Sequence, residues 1–170
     1  MSKKEQIAIA ALSLFSESGF EGTSTRAIAK KADVSEALIF RHYVNKEGLV
    51  IHLLHMLHSE MDKLLLSWNP LEPKAKIKVL MELPFNIPEE MAPYWKFYYK
   101  LSWSTFKMES DPMSSLQVYL TEALRSVGFA QPEEEAEITL AYVHGFAFSA
   151  LNNKLKDFKN SLKVLRTKYA

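Results

Sequence analysis

The chain has 170 residues, 48% of them hydrophobic, which is enough for one or two compact domains with apolar cores. Its 21 Lys and Arg nearly balance its 20 Asp and Glu, so net charge alone does not indicate a nucleic-acid binder. The absence of cysteine excludes disulfides, thiolate catalysis and cysteine-bound metals. The sequence contains neither a recognisable signal peptide nor an apolar run of about 20 residues, so we expect a cytoplasmic protein with no membrane partner.

Apolar residues recur at helical spacing along almost the whole chain, which predicts an all-α fold. The first predicted helix covers residues 3–18 and places its apolar residues on one face. Gly19 follows it, where a helix end often needs a left-handed residue. Small hydroxyl residues then precede a second, two-turn helix at residues 25–31.

A tight turn and a third helix follow the second one. Asp33 is a residue type that tolerates the left-handed conformation of a turn. Ser35 can cap the third helix, and Glu36 then lies in its first turn, where the helix dipole favours an acid. Two short helices joined by a tight turn after a longer helix indicate a helix-turn-helix, although the same three helices could also form a structural cap.

The residue string over this segment is more specific than the helical spacing. It resembles the N-terminal domain of the TetR (tetracycline repressor) family of bacterial transcriptional regulators. The matching residues are Gly19, Phe20, Gly22, Thr23, Ser24, Arg26, Ile28, Ala29, Ala32, Val34, Ser35, Ile39, Phe40, His42, Tyr43, Lys46, Glu47 and Leu49. The chain departs from the family at Asp33, where a glycine is usual, and at Phe40, where a tyrosine is usual. If the hydroxyl of that tyrosine contacts a phosphate, Phe40 offers only a ring contact in its place, and one hydrogen bond of about 1 kcal/mol is lost.

The resemblance implies a helix-turn-helix DNA-binding domain at residues 1–47, followed by a helical domain for ligand binding and dimerisation at residues 48–170. It assigns five residues to the DNA backbone: Thr25, Arg26, Ser35, His42 and Lys46. Four others would face the bases: Glu36, Ala37, Leu38 and Arg41. Glu36 has two interpretations that remain open here: it accepts a hydrogen bond from a cytosine amino group, or it stabilises the helix end without a base partner.

The predicted fourth helix, residues 46–67, carries three histidines: His52, His55 and His58. At spacings of three they drift around the helix by about 120°. We therefore interpret them as exposed or hydrogen-bonded histidines and predict neither a metal nor a cofactor.

Prolines divide the following stretch, and helices are predicted at residues 74–83 and from Pro93 onward. The second of these helices is the richest in aromatic residues, which is most often a sign of plain core. In the TetR family the corresponding helix lines a small-molecule pocket. By that resemblance the ligand-contacting residues are Trp95, Tyr98, Tyr99 and Trp103, with Met61 and Leu65 opposite. No charge is forced into this set, so the expected ligand is apolar or aromatic.

Further helices are predicted at residues 113–127, closed by Gly128, and from Pro132 onward. One side of the last helix carries Ile138, Tyr142, Gly145 and Phe146. A heptad-like seam follows at Leu155, Phe158, Leu162 and Leu165. Since the family dimerises through its last two helices, we expect these two groups to form a homodimer interface.

The sequence as a whole therefore predicts a TetR-type regulator that binds a palindromic operator on double-stranded DNA as a homodimer. We expect a repressor that a small molecule releases from DNA. An alternative is a protein of the same fold that is controlled by protein partners and has no small-molecule ligand. An enzyme is less well supported, because no G-x-S-x-G, H-E-x-x-H, P-loop or dinucleotide motif occurs.

Overall fold

The computed structural model of the chain describes residues 1–109, 111–154, 157, 160, 161, 163 and 164. In that part of the chain the regular structure is helical: α1 Lys3–Ser18, α2 Thr25–Lys31, α3 Glu36–Tyr43, α4 Lys46–Trp68, α5 Pro73–Glu82, a 3-10 helix Leu83–Phe85, α6 Ala92–Ser102, α7 Ser114–Ser126 and α8 Pro132–Leu151. The all-α prediction is confirmed, and every predicted helix begins within one residue of an observed one.

The first four helices begin at side-chain caps. The hydroxyls of Ser2, Ser24 and Ser35 accept hydrogen bonds from the backbone N–H groups three residues later, at 3.1–3.3 Å. Asn45 does the same for α4, because its Oδ1 accepts from the Gly48 N–H at 2.7 Å. Each cap satisfies an N–H that has no partner inside its helix, so these starts are determined by single residues.

Two compact units make up the fold. The first consists of residues 1–60 and 89–112, and the second of residues 61–88 and 113–170. The first unit thus contains the predicted 1–47 domain together with α4 as far as Glu60 and all of α6. None of the helices among the described residues has the length and apolar content needed to cross a bilayer.

The core of the first unit joins the three N-terminal helices to α6. Ile7, Ile28 and Ile39 are fully buried at its centre. Phe97 of α6 packs against Phe15 of α1, with ring centroids 5.9 Å apart. One face of α6, the helix richest in aromatic residues, therefore belongs to the core of the unit that contains the helix-turn-helix.

The second unit packs α5, the 3-10 helix, α7 and α8 together. Phe146 of α8 lies 5.5 Å from Phe85 and 4.6 Å from Tyr142, measured between ring centroids. Four residues of the predicted dimer seam lie outside the described residues: Leu155, Phe158, Leu162 and Leu165.

Candidate nucleic-acid interface

The turn between α2 and α3 is tight and left-handed, as predicted. Asp33 has φ 51°, which a short polar side chain tolerates better than most. The Val34 N–H donates to the Ala29 carbonyl at 3.1 Å and closes the turn. Ser35 then caps α3, so the two helices are fixed against each other within four residues of chain.

The inner face of α3 is anchored in the core. Ile39 is fully buried and Tyr43 is 5% exposed. The Tyr43 hydroxyl donates to the Lys4 carbonyl of α1 at 2.9 Å, across 39 residues of sequence. Burial raises the pKa of Tyr43 to about 12, so this hydroxyl remains protonated and able to donate at neutral pH.

The outer face of α3 points to solvent. Ala37, Arg41 and His42 are exposed, and Phe40 is 44% exposed although it is a large apolar residue. Glu36 is half-buried, and Leu38 is half-buried against the core of the first unit. The predicted reading residues thus lie on one helix, but they differ in how far they are exposed.

Thr25 and Glu36, both predicted to contact DNA, contact each other. The Thr25 hydroxyl donates a hydrogen bond to Glu36 Oε1. These two residues open α2 and α3 respectively, so the bond connects the starts of the two helices. Together with Ser24, Arg26 and Lys30, Glu36 lines a shallow groove between α2 and α3.

Lys46, a predicted phosphate contact, has partners within the protein. Its ammonium donates to the Phe20 carbonyl at 3.0 Å and to the Thr23 carbonyl at 3.2 Å, and it lies 4.0 Å from the centroid of the Phe20 ring. An ammonium has three donors, so one N–H is left for another acceptor. Lys46 therefore holds the α1–α2 turn on α4, a role that its sequence position did not reveal.

The turn between α3 and α4 is unusually short. Val44 has φ 67° and ψ −51°, and the Asn45 N–H donates to the Tyr43 carbonyl at 2.7 Å, which together define a γ-turn. A β-branched residue is strained in this conformation. Gly48 is required beside it, because a Cβ there would lie 2.2 Å from the Tyr43 carbonyl oxygen.

A carboxylate connects the α1–α2 turn to the segment after α6. Glu21 Oε1 accepts hydrogen bonds from the backbone N–H of Thr105 at 2.7 Å and from its hydroxyl at 2.8 Å, 84 residues away. These bonds, the backbone one foremost, lower the pKa of Glu21. Phe20 and Phe106 pack beside them at 5.6 Å between ring centroids. No local sequence pattern indicates this contact.

The predicted ligand-contacting residues fall in two groups. Trp95, Tyr98 and Tyr99 are buried in the first unit. The Tyr98 hydroxyl donates to Asp111 Oδ1 at 3.2 Å, and burial raises the pKa of Tyr98. Trp103 is 85% exposed, because α6 ends one residue before it. The other two residues, Met61 and Leu65, are buried in the second unit.

The predicted dimer residues of α8 differ in their exposure. Ile138 is 67% exposed, whereas Tyr142 and Phe146 are half-buried and in contact. The space beside Gly145 is open: a Cβ there would meet no described atom within 4 Å.

The three histidines of α4 do not converge on a common point. His52 packs against Tyr43 at 5.2 Å between ring centroids, and burial lowers the pKa of His52. His58 Nδ1 lies 3.2 Å from the Pro112 carbonyl oxygen, and His55 is exposed. Among the residues that the structure describes, no three potential ligands are grouped to hold a metal ion.

Known proteins resemble this chain most clearly in its N-terminal part. Residues 7–53 match the family model described as bacterial regulatory proteins, tetR family. The uncharacterized HTH-type transcriptional regulator YvkB of Bacillus subtilis (strain 168) is 50% identical over 50 residues, which is 29% of this chain and 26% of that protein. The probable HTH-type transcriptional regulator YttP of the same strain is 35% identical over 88 residues, 51% of this chain and 42% of that protein.

A solved structure extends the similarity in fold to most of the chain. The structure of AibR in complex with isovaleryl coenzyme A and operator DNA aligns with a TM-score of 0.72 over 86% of each chain, at 18% identity. At this identity the alignment establishes the fold alone. Residues 7–53 are therefore similar to the N-terminal domain of the tetR family of bacterial regulatory proteins, and the chain spans less than half the length of the two curated relatives it matches.

Proposed function

We propose that the protein is a DNA-binding transcriptional regulator that places α3 in the major groove. The observation that carries this proposal is the asymmetry of α3: Ile39 is fully buried on one side, while Ala37, Arg41 and His42 are exposed on the other. An eight-residue helix is about 12 Å long, similar to the width of the groove.

Local charge around α3 supports the same function, although the chain as a whole is nearly neutral. Arg26, Lys30 and Lys31 are exposed on α2, and Arg41 is exposed on α3. Cations at the edges of a reading helix bind phosphates and fix its register on the duplex. Arg41 has the geometry to read guanine or to hold a phosphate.

We further propose a homodimer that binds a palindromic operator. Exposed Ile138 and the open space at Gly145 give α8 an apolar face with room for a partner helix. Paired through this face, two copies would present two reading helices about 34–36 Å apart, one turn of DNA.

A ligand-controlled repressor is the proposed mode of regulation. AibR, a relative in fold, was solved with isovaleryl coenzyme A and operator DNA. In the present chain the proposed ligand is apolar or aromatic and contacts residues of the first unit from the set Trp95, Tyr98, Tyr99 and Trp103. A preference of about 2.7 kcal/mol for the DNA-free conformation would weaken operator binding 100-fold.

A regulator of the same fold without a small-molecule ligand is the second candidate. Trp95 is fully buried and the Tyr98 hydroxyl is bonded to Asp111, so core packing already accounts for these two aromatic residues. Operator affinity can be measured by calorimetric titration with and without added apolar compounds. An affinity that the compounds leave unchanged would favour this candidate.

Operator binding at several salt concentrations tests the DNA-binding proposal. Arg26→Ala should weaken all sequences alike and lower the salt slope by about one. Arg41→Ala should weaken the best sequence about tenfold or more. Lys100→Ala, an exposed lysine on α6, is the matched control and should change neither quantity. Full affinity in both arginine variants would contradict the proposal.

Sedimentation tests the proposed interface. Ile138→Glu should convert a dimer to a monomer, because it places a charge in an apolar contact. Val118→Glu changes an apolar residue of similar exposure, 60%, on α7 and should leave the dimer intact. A dimer that survives Ile138→Glu would exclude this face of α8.

A further inference from the structure

We propose that Thr25 is a positioning residue that orients Glu36 to read a cytosine amino group, and that Glu36 is a determinant of operator specificity. This inference rests on the proposed DNA-binding function. It resolves the two interpretations of Glu36 that the sequence leaves open, and it assigns to Thr25 a role other than the phosphate contact that family resemblance implies.

The hydrogen-bond inventory of Thr25 favours this role. A threonine hydroxyl has one donor, and here the Thr25 donor goes to Glu36 Oε1. While that bond is present, the side chain offers a phosphate only lone pairs, which phosphate oxygens repel. The Thr25 side chain is therefore occupied in holding Glu36 rather than free to bind the DNA backbone.

The carboxylate of Glu36 is held but not saturated. An ionised carboxylate has about four lone-pair positions on its two oxygens, and Thr25 occupies one of them. No ion pair with Glu36 occurs among the described residues, although Arg26 and Lys30 line the same groove. The half-buried Glu36 thus presents an oriented acceptor at the first position of α3, where a reading helix meets the base edges.

The Glu36 carboxylate can accept hydrogen bonds but cannot donate them, so it distinguishes between the four bases. Cytosine presents an amino donor in the major groove, whereas guanine presents two acceptors and thymine presents one. Adenine has an amino donor beside the N7 acceptor, which repels a carboxylate. Glu36 should therefore select cytosine at one position of each half-site and reject guanine most strongly.

The Thr25 bond makes a specific prediction for Glu36→Gln. The Thr25 hydroxyl can donate to the amide oxygen of Gln as it does to the carboxylate, so the amide NH2 group is left facing the groove. The reading group then changes from an acceptor to a donor. Base preference at that position should reverse from cytosine to guanine, instead of merely becoming weaker.

The test is selection of binding sequences from a randomised operator library, with thermal unfolding measured for each variant. Wild type should enrich cytosine about tenfold over guanine at one position of each half-site, and Glu36→Gln should enrich guanine there. Thr25→Val should lose most of the preference at this position alone, because Glu36 is no longer oriented. Thr25→Ser retains a hydroxyl and should restore the preference.

Each outcome either supports or overturns the inference. If Thr25→Val weakens all sequences alike and leaves the base preference intact, Thr25 is a phosphate contact and the assignment is wrong. An unchanged sequence profile for Glu36→Gln in a folded protein overturns the reading role of Glu36 while leaving the proposed function in place. If wild type enriches no sequence at all, the proposed function fails and this inference fails with it.

Discussion

The first four helices and the last four begin in different ways. Ser2, Ser24, Ser35 and Asn45 each accept a backbone hydrogen bond at the start of α1 to α4. In the residues that the structure describes, α5 to α8 have no side-chain cap, and three of them have proline at their first or second position instead. A cap satisfies an N–H and determines one starting residue, whereas proline only sets φ near the helical value. Polar bonds thus specify the N-terminal helices, and the later ones depend mainly on apolar packing.

Hydrogen bonds between residues that are far apart in the sequence also differ between the two units. In the first unit, Tyr43, Lys46 and Glu21 join segments that are 26 to 84 residues apart. In the second unit, the buried hydroxyls of Ser115 and Tyr119 have no hydrogen-bond partner among the described residues. Long-range hydrogen bonds therefore hold the helix-turn-helix in one geometry. Residues of the second unit, by contrast, can be substituted with less loss of stability.

The largest expected effect comes from Gly48. Gly48→Ala should lower the free energy of unfolding by about 2 kcal/mol, because the new Cβ would overlap the Tyr43 carbonyl oxygen. Gly145→Ala is the matched control on α8. In the Ile138→Glu background, where no partner helix is expected at this face, alanine should raise stability by about 0.5–1 kcal/mol, because no described atom lies within 4 Å of its Cβ. Urea unfolding measures both. Equal effects at the two glycines would contradict the contrast between the two regions.

A smaller effect is expected from the helix caps. Ser35→Ala should lower the free energy of unfolding by about 1 kcal/mol, because the Leu38 N–H loses its acceptor. Gln131→Ala changes the corresponding position of α8, where no side-chain cap is formed, and should have little effect. Thermal unfolding of the two variants makes the comparison, and a larger loss at Gln131 would refute it.

Substitutions at two tyrosines compare a hydroxyl that donates a hydrogen bond with one that has no hydrogen-bond partner among the described residues. Tyr43→Phe should lower the free energy of unfolding by about 0.5–1 kcal/mol, because the bond to the Lys4 carbonyl is lost. Tyr119→Phe should be neutral or slightly stabilising, since no described group bonds to that buried hydroxyl. Urea unfolding checks this pair, and a greater loss for Tyr119→Phe would indicate that its hydroxyl has a partner.

The smallest effect is expected from Glu21 and depends on pH. Hydrogen bonds from Thr105 lower the pKa of Glu21 below its ordinary value of 4.5. The resulting stabilisation is present above that value and is lost as the pH falls through the lowered folded-state pKa. Wild type should therefore be more stable than Glu21→Gln at neutral pH, and the difference should disappear in acid. Unfolding measured across the pH range tests this.

Thr105→Val is the control for the pH dependence, because it removes the side-chain donor and leaves the carboxylate in place. The pKa of Glu21, followed by NMR, should then rise part of the way toward its ordinary value, because the backbone N–H of residue 105 still donates to the carboxylate. An unchanged pKa in this variant would show that the Thr105 hydroxyl does not contribute to the shift.

Elements set by neighbouring residues could be predicted from the sequence, and contacts between distant residues could not. Ser35 could be predicted as a cap, and small hydroxyl residues could be predicted at the start of α2, because each signal lies within a few residues of chain. Asp33 was predicted to be left-handed from its residue type. By contrast, the partners of Glu21 and Lys46 are carbonyl, N–H and hydroxyl groups in other parts of the chain, which leave no periodic pattern.

Two features of the structure differ from what the residue types alone would predict. Val44 has a positive φ although β-branched residues avoid it, so the γ-turn could not be predicted locally. Trp103 is exposed because α6 ends before it, although the aromatic run continues past that residue. The pairing of Thr25 with Glu36 also arises only when α2 and α3 are placed side by side.

The γ-turn at Val44 limits the length of α3. Lengthening α3 by one residue would displace the Tyr43 carbonyl. This carbonyl already lies so close to Gly48 that a Cβ there would be only 2.2 Å from its oxygen. The eight-residue length of α3 is therefore constrained at its C-terminal end. Under the proposed function, substitutions on the exposed face of α3 would change the DNA sequence that is bound, while the length of the reading helix stays the same.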